Sequence, residues 1–600
     1  MFASGRIRFE LVVVVLAAAL VLAAAPSAAA QARPNVVVVL TDDQRWDSLG
    51  LMPTVQTELV GKGVLFENAF AVAPLCCPSR ASFLTGLYPR STLVYRNEPP
   101  YGGYEWFDDS STVATWLSQA GYRTGYFGKY LNGYFEPDVP PGWSSWLASE
   151  RGYYDFTASE DGIHIRFGAL PDDYSTDVFA RAAETFIEAD DERPFFVVYA
   201  PYAPHFPATP APRHLDTFPD PSPWRPPAYD EADVRDKPAW VRRLPRLTPE
   251  RSESIDTTVG SMRKSLLAVD DGVRSILDTL EETGRLRDTM IVYTSDNGLL
   301  WGEHRMVLRK AAAYEESTRI PFVVRYDGLG QGARTESRLI ANVDLAPTLT
   351  RLTGTRPRRT EGRSLLPLLR NDARTWRTQV LLEHLRGAAG NARGIPSFCG
   401  LRGQRWKYVV YKTHDEELYD LANDPGELES VHRDPVLRDR LLRLRRAVRR
   451  LCDPTPPGLT LTWLCTYETS AGRHTASGTS GADTVCGGTG ADRLLGRGGD
   501  DVVYGRAGND ALISGGGADR LEGGLGRDRL VGGPGRDTLI GGPGRDEISG
   551  GGGHDVVRTR DGTRDRIACG PGRDTVYADL ADVVEASCED VRRPRPPRGL

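Results

Sequence analysis

Asn35-Val36-Val37-Val38-Val39-Leu40-Thr41-Asp42-Asp43 is the stretch on which the fold turns. The run from Val36 to Leu40 is wholly apolar and mostly β-branched, which predicts a short strand buried on both faces, because a half-exposed strand would alternate apolar with polar. Similar runs recur at Phe195 to Ala200, Met290 to Thr294 and Ile320 to Val324. Between the second and third, Met262, Leu266, Val269, Val273, Ile276 and Leu280 stand three or four apart and draw an apolar stripe along one helix. Strand, helix, strand in that order implies parallel pairing in an α/β sandwich.

The residues just past each strand carry the chemistry. Thr41-Asp42-Asp43 leaves the first, Pro204-His205 comes after the second, and Ser295-Asp296-Asn297-Gly298 leaves the third. The carboxyl ends of strands in an open α/β sheet border the ligand crevice. Acids gathered there would repel one another unless a cation lay between them, and an all-oxygen set of Asp and Asn suits calcium or magnesium. Asp and Asn also begin turns after strands, so either pair alone is open to that simpler reading.

The whole chain of 600 residues is too long for one ordinary domain. Its 74 Lys+Arg against 80 Asp+Glu exclude the strongly basic footprint of a dedicated nucleic-acid binder. At the start, Arg6 and Arg8 precede the apolar run Leu11 to Ala25, and Ala28-Ala29-Ala30 offers small residues before Gln31. This predicts a cleaved signal peptide over 1–30 and a secreted, extracellular product, the run being too short for a stable membrane span. An exported chain with 8 Cys invites disulfides, and Cys452/Cys465 and Cys569/Cys588 are close enough to be local staples, although spacing does not settle the pairing. Cys76 and Cys77 are neighbours, for which a mutual bond is strained.

That pair lies in Leu75-Cys76-Cys77-Pro78-Ser79-Arg80-Ala81-Ser82-Phe83-Leu84-Thr85-Gly86. The pattern C-x-P-S-R, a short spacer and T-G resembles the sulfatase signature. Gly128-Lys129, Ala203-Pro204-His205, Ser295-Asp296-Asn297-Gly298, and Gly302-Glu303-His304 through Lys310 to Tyr314-Glu315 come in that family's order over about residues 33 to 452. The resemblance implies an alkaline-phosphatase-like α/β sandwich with a small C-terminal antiparallel sheet. It also implies that a formylglycine-generating enzyme oxidises Cys76 to formylglycine, whose hydrate attacks sulfur. Asp42, Asp43, Asp296 and Asn297 would then hold Ca2+ or Mg2+ beside residue 76, Arg80, Lys129 and Lys310 would neutralise sulfate, and His205 would protonate the leaving oxygen or bind sulfate. Many sulfatases have His two residues after the Gly-Lys lysine, but Leu131 stands there, followed by Asn132, so His304 or an acid near the metal becomes a candidate for the base that expels sulfate. Cys76-Cys77-Pro78, Gly128-Lys129-Tyr130-Leu131-Asn132 and Pro141-Gly142-Trp143 look most like the N-acetylglucosamine-6-sulfatase branch, which points toward a sulfated sugar. Tyr101, Tyr104, Trp106, Tyr126, Tyr130, Tyr134, Trp143 and Trp146 would suit stacking on a glycan, but aromatics fill cores more often.

Trp406 to Tyr411 and Glu417 to Leu421 fit the small sheet, and Val436 to Arg450 predicts a helix with a basic face, normally solvated but able to assist capture of a polyanion. These readings divide the chain into a sulfatase α/β domain over 31–398, its C-terminal subdomain over 399–452, a linker over 453–477 and a final module over 478–591. Of the 63 Gly in the chain, 29 lie in that module. There Asp483, Asp492, Asp501, Asp510, Asp519, Asp528, Asp537, Asp546 and Asp555 fall at a period of nine residues, each followed two positions on by Val, Leu or Ile. The clearest copy, Gly532-Gly533-Pro534-Gly535-Arg536-Asp537-Thr538-Leu539-Ile540, resembles the RTX calcium repeat and predicts a parallel β-roll that binds Ca2+ between turns. Arg527, Arg536 and Arg545 replace the usual small residue before Asp, which would weaken some sites. The filled catalytic positions favour an enzyme over two alternatives, a catalytically inactive binding or matrix protein and a phosphate or phosphonate ester hydrolase of the wider superfamily.

Overall fold

The computed structural model describes residues 33–99, 101–135, 139–218, 223–330, 332–357, 359–386, 394–452, 465, 467–469 and 472–593. The expected signal peptide lies outside them. The main sheet has 10 strands, in the order Arg334–Glu336, Val64–Phe66, Phe322–Arg325, Thr289–Ser295, Asn35–Thr41, Phe195–Ala200, Arg123–Lys129, Ser145–Ser149, Thr157–Glu160 and Ile163–Arg166. Asn35–Thr41 is central and parallel to both neighbours, with Val38 opposite Val198 on one side and Val292 on the other. Val36, Val38 and Leu40 pack on the face covered by helices Val113–Gln119 and Leu345–Thr353, and Val37 and Val39 on the face covered by Ser175–Glu188 and Pro249–Glu282. Both faces are dry, so the strand must be apolar throughout. The run at Ile320 to Val324 forms Phe322–Arg325, antiparallel to Thr289–Ser295, an arrangement common toward the edge of mixed sheets. The stripe from Met262 to Leu280 belongs to Pro249–Glu282, which Pro249 and the capping hydroxyl of Thr248 begin.

The small sheet is antiparallel, in the order Gln379–His384, Phe398–Gly403, Trp406–Tyr411, Glu416–Asp420. Its first strand precedes the boundary expected at 399, a correction that the sequence hid because the partners are separated by a long connection. Helix Arg438–Leu451 lays Leu441, Leu444 and Val448 on this sheet, and Cys452 at its end bonds to Cys399 in Phe398–Gly403. The expected Cys452/Cys465 staple is therefore wrong: Cys465 bonds to Cys486, whereas Cys569 and Cys588 do pair. Buried charges tie the two sheets together. Glu315 meets Arg402 Nε at 2.9 Å and Lys407 Nζ at 3.2 Å, and Lys407 reaches Glu427 at 2.8 Å. Removing one member leaves its partners unpaired, so Glu315→Ala should cost about 3–5 kcal/mol in denaturant unfolding. A loss below about 1 kcal/mol would show that the network does not join the sheets.

The roll begins earlier than expected. Tyr467–Glu468 already pairs with Thr484–Cys486, and Thr475–Ser477 with Arg493–Gly498, so only 453–464 of the expected linker precedes it, outside the described residues. Two parallel sheets of 8 and 7 strands stack alternate turns, with Leu512 opposite Leu530 and Leu521 opposite Leu539. The apolar position of each repeat faces inward as a single file from Val485 to Val576. Glycine is needed where turns touch: a Cβ on Gly535, at φ +159°, would lie 1.6 Å from the Gly517 carbonyl oxygen. Arg527, Arg536 and Arg545 are exposed, away from the buried aspartates. The roll packs on the main domain through Tyr577, whose hydroxyl donates to Asp108 at 2.5 Å, Arg592, which meets Asp108 at 2.9 Å, and Arg560, which donates to the Glu105 carbonyl at 3.1 Å.

Candidate active site

The register of the central strands brings the two acid pairs side by side. Thr41 lies opposite Ser295, so Asp42-Asp43 and Asp296-Asn297 emerge together. Asp43 turns there with φ +64°, an uncommon backbone for a residue with a side chain, and its N–H donates to Asp296 Oδ1 at 3.1 Å. Lys129 ends the strand Arg123–Lys129 and forms an ion pair with Asp42. Gly128 before it has to be glycine, because a Cβ would sit 1.9 Å from the Ala200 carbonyl oxygen on the next strand. His205 comes after Phe195–Ala200 and places Nε2 3.5 Å from Asp43 Oδ2, its Nδ1 lying 2.7 Å from the Phe206 carbonyl.

Cys76 begins the helix Cys76–Thr85, which points its N-terminus at this cluster. Its Sγ is 3.3 Å from Asp42 Oδ1 and 2.8 Å from Lys310 Nζ, and Lys310 also meets Asp43 at 2.6 Å. Arg80, one turn further along the helix, meets Asp296 at 2.8 Å. Cys76 and Cys77 are both free thiols and both buried. Burial, reinforced by Asp42, pushes the Cys76 thiol far above its ordinary pKa. An unmodified thiol here is a poor nucleophile near neutral pH. Burial also works to raise Asp42, but Lys129, His205, Arg80 and Lys310 outweigh it and hold the carboxyl well below the usual range.

A hard cation fits this donor set. Asp42, Asp43, Cys76 and His205 offer ligand atoms within 4.8 Å of one another, and the buried Asn297 Oδ1 has no hydrogen-bond partner. Both Asp296 oxygens are engaged, by Asp43 N–H and Arg80. Three acids, Asp42, Asp43 and Asp296, face three bases, Arg80, Lys129 and Lys310. The set is thus near neutral, and a divalent cation would leave it attractive to an anionic sulfate ester.

His304 is not part of this cluster. Its ring stacks 3.9 Å from the Tyr314 ring and its Nδ1 lies 2.7 Å from Glu231, beside the small sheet. Burial takes its pKa down to about 3, so it sits as a neutral core side chain and the expectation of a base at His304 is corrected. Leu131 is fully buried in the main core. Most of the aromatic residues expected as a possible glycan platform pack on one another in the core, as Tyr126 does on Trp146 at 5.1 Å, but Tyr104 is only half-buried and Tyr134, 5.0 Å from it, also lines a cavity. Two residues that sequence reasoning passed over hold the helix: Asn97 accepts from Cys77 N–H at 2.9 Å, and Asn342 donates to Ser79 Oγ at 2.8 Å. A lone Asn gives no periodic signal. In the roll, Asp565, Asp574 and Asp582 extend the ladder beyond Asp555, their Oδ1 accepting from the N–H of Asp546, Asp555 and Asp565 at 2.8, 2.8 and 2.9 Å. The Asp-x-apolar pairs Asp565/Ile567 and Asp574/Val576 were the available signal, masked by a one-residue slip in the period.

No described helix is long and apolar enough to cross a membrane. A family model for N-sulphoglucosamine sulphohydrolase, C-terminal, matches residues 302–453, and one for the RTX calcium-binding nonapeptide repeat matches windows between 477 and 564. The chain is 38% identical over 375 residues to human N-acetylglucosamine-6-sulfatase, covering 59% of this chain and 67% of that protein. It is 34% identical over 368 residues to the extracellular sulfatase SULF-1 homolog of Drosophila melanogaster, covering 58% of this chain but only 33% of that longer relative. A solved structure in complex with its substrate D-glucosamine-2-N,6-O-disulfate superposes with a TM-score of 0.63 at 26% identity, covering 70% of this chain and 98% of the other. The sulfatase family model itself spans residues 34–355, more than half of the chain, and takes in every residue of the cluster around Cys76, so the chain belongs to the sulfatase family.

Proposed function

We propose that this protein is an exported sulfuric ester hydrolase acting on sulfated amino sugars, with Cys76 oxidised to formylglycine by a formylglycine-generating enzyme. The observation that carries the reading is the position of Cys76 itself, on a helix N-terminus among Asp42, Asp43, Lys129 and Lys310. One hydroxyl oxygen of the aldehyde hydrate bonds to sulfur as the bond from sulfur to the alcohol oxygen breaks, and the alcohol departs with a proton. The second hydroxyl then gives up its proton, the carbonyl reforms, and the bond to sulfate breaks. A divalent cation held by Asp42, Asp43, Asp296 and Asn297 would supply electrophilic assistance to the sulfuryl oxygens. Lys129, Lys310 and Arg80 place fixed positive charge where the sulfuryl group gains negative charge. Lys129→Ala and Lys310→Ala should each lower kcat/KM by about 10²–10³, and unchanged turnover would remove them from the reaction. With Leu131 and His304 both in the core, His205 is the described imidazole within reach, and its Nε2 faces the cluster for proton transfer.

A cavity of about 600 Å³ is lined among others by Tyr134, Phe135, Glu150, Arg151, His164 and Ser149, the last being the strand partner of Lys129. Its size and its mixture of rings and polar groups suit a sugar. The N-acetylglucosamine-6-sulfatase relatives and the solved complex with a sulfated glucosamine support the same substrate class. Assay of matured protein against 6-O-sulfated N-acetylglucosamine, an aryl sulfate and a phosphonate monoester tests the reading. Sulfate released preferentially from the sugar supports it, and release only from the phosphonate would reassign the chemistry.

A further inference from the structure

A cavity of about 490 Å³ lies among the loop before helix Pro249–Glu282, the first turn of that helix and the loop that leads into Lys310. Arg246, Arg251, Arg305 and Arg309 line it with Thr248 and apolar side chains such as Val307, and no described lining residue is an acid. Arg246 meets Asp230 at 2.8 Å, which accounts for one of the four charges. Arg305 is fixed by neutral acceptors, the carbonyls of Glu231, Leu244 and Ala232 at 2.9, 3.2 and 2.9 Å, so its guanidinium is held in place and keeps its charge. Arg251 is exposed and forms no ion pair among the described residues. Burial, and after it the like charge of Arg251, push the Arg309 guanidinium below its ordinary pKa.

Arg251 also stands against its local preference. Its N–H donates to the capping hydroxyl of Thr248 at 3.3 Å, which makes it a first-turn residue of a helix 34 residues long, where an acid is favoured and a base is not. Glu250 of the same turn lies outside the lining. Cations gathered in one space, one of them at a helix start that disfavours it, are expected where a site takes an anion.

The position of the cavity identifies that anion. Arg309 is the chain neighbour of Lys310, whose Nζ lies 2.8 Å from Cys76 Sγ, so the cavity adjoins the reacting centre. None of Asp42, Asp43, Cys76, Lys129 and Lys310 lines it, so an anion held there is a different group from the sulfuryl group being displaced. Guanidinium forks match paired oxygens of sulfate and carboxylate, and the volume has room for a sugar ring as well as its charge. We propose that Arg246, Arg251, Arg305 and Arg309 form a second anion-binding site, which takes a sulfate or carboxylate on the sugar next to the one being desulfated. The inference rests on the sulfated-sugar reading and narrows it: the favoured substrate is an oligosaccharide charged on more than one ring, not a sulfated monosaccharide.

Arg251→Glu tests the site without endangering the fold, because Glu three residues after Thr248 completes a reciprocal cap and suits the helix start. Binding is measured by calorimetry at fixed salt on the full chain carrying Cys76→Ala. The probes are a sulfated tetrasaccharide of alternating uronate and glucosamine, and N-acetylglucosamine 6-sulfate. The charge reversal is expected to weaken the tetrasaccharide at least tenfold and leave the monosaccharide unchanged, with an unfolding midpoint no lower than the parent's. Arg309→Ala should weaken the tetrasaccharide in the same direction. No binding of the tetrasaccharide to the parent, equal affinity in parent and Arg251→Glu, or an equal fold loss for both sugars would overturn the site. A tetrasaccharide with its carboxylates reduced to alcohols separates the two sources of charge: the tenfold effect persists if sulfate is held and vanishes if carboxylate is. An effect confined to polyglutamate would assign the cavity to an acidic peptide and overturn the glycan. Neither sugar has to be hydrolysed, so this site can fail while sulfate release by the matured protein stands, and the reverse.

Discussion

Cys76→Ala is expected to abolish sulfate release, lowering kcat/KM by on the order of 10⁴ or more, while Cys77→Ala retains activity and loses about 1 kcal/mol of stability. The contrast arises from where the two thiols point. Cys76 faces Asp42 and Lys310, at the carboxyl ends of the central strands, whereas Cys77 lies in the main core, where burial pushes its thiol up to about 12. The Ser79 hydroxyl, one turn along the helix, cannot substitute: it donates to the Asp296 carbonyl and accepts from Asn342, so its oxygen is committed. Both variants are to be compared by initial rates on the preferred sulfate ester and by urea unfolding. Equal loss of activity in the two variants would mean that the helix, not the nucleophile, had been damaged.

The second large effect is in the roll. Without calcium, the roll should be folded at pH 5 and unfolded at pH 8, and millimolar calcium at pH 8 should restore it. Burial first, with the charges of neighbouring turns in several cases, raises the ladder aspartates from 3.8 to about 6 for Asp501 and Asp528, about 7 for Asp510, Asp537 and Asp546, and about 8 for Asp565. Because these pKa values are raised on folding, their contribution to stability is fully present below the unfolded value of 3.8 and is lost as pH rises through about 6 to 8. A single file of apolar residues has little area with which to oppose that loss. Hydrogen exchange on the full chain locates the effect: amides between Leu512 and Leu539 should lose protection at pH 8 in chelator while those of Val36 to Leu40 keep theirs. Persistent protection of the roll under those conditions would show that it does not depend on charge neutralisation.

The parts legible in the sequence are those with a period or a rigid local grammar. The valine run before Asp42 had to be a doubly covered strand, and the nine-residue ladder had to be a solenoid, because each pattern has few other physical solutions. The opposite held where meaning depends on a distant partner. Gln379–His384 joins the small sheet only through Phe398–Gly403, and Cys452 finds Cys399 only after helix Arg438–Leu451 has folded back. His304 sits near Lys310 in sequence, and nothing local shows that its ring turns to Tyr314 and Glu231 instead. The ladder beyond Asp555 was hidden by one inserted residue, which sets Asp565 ten positions on where nine were expected.

Catalysis in this protein stands or falls on the chemical state of residue 76. Protein purified from its own host should be digested and the peptide spanning Leu75 to Arg80 weighed by mass spectrometry. An aldehyde, trapped as a hydrazone by a hydrazine reagent, is expected in place of the thiol. A peptide carrying only unmodified Cys76, in material that hydrolyses sulfate esters, would rule out the formylglycine nucleophile.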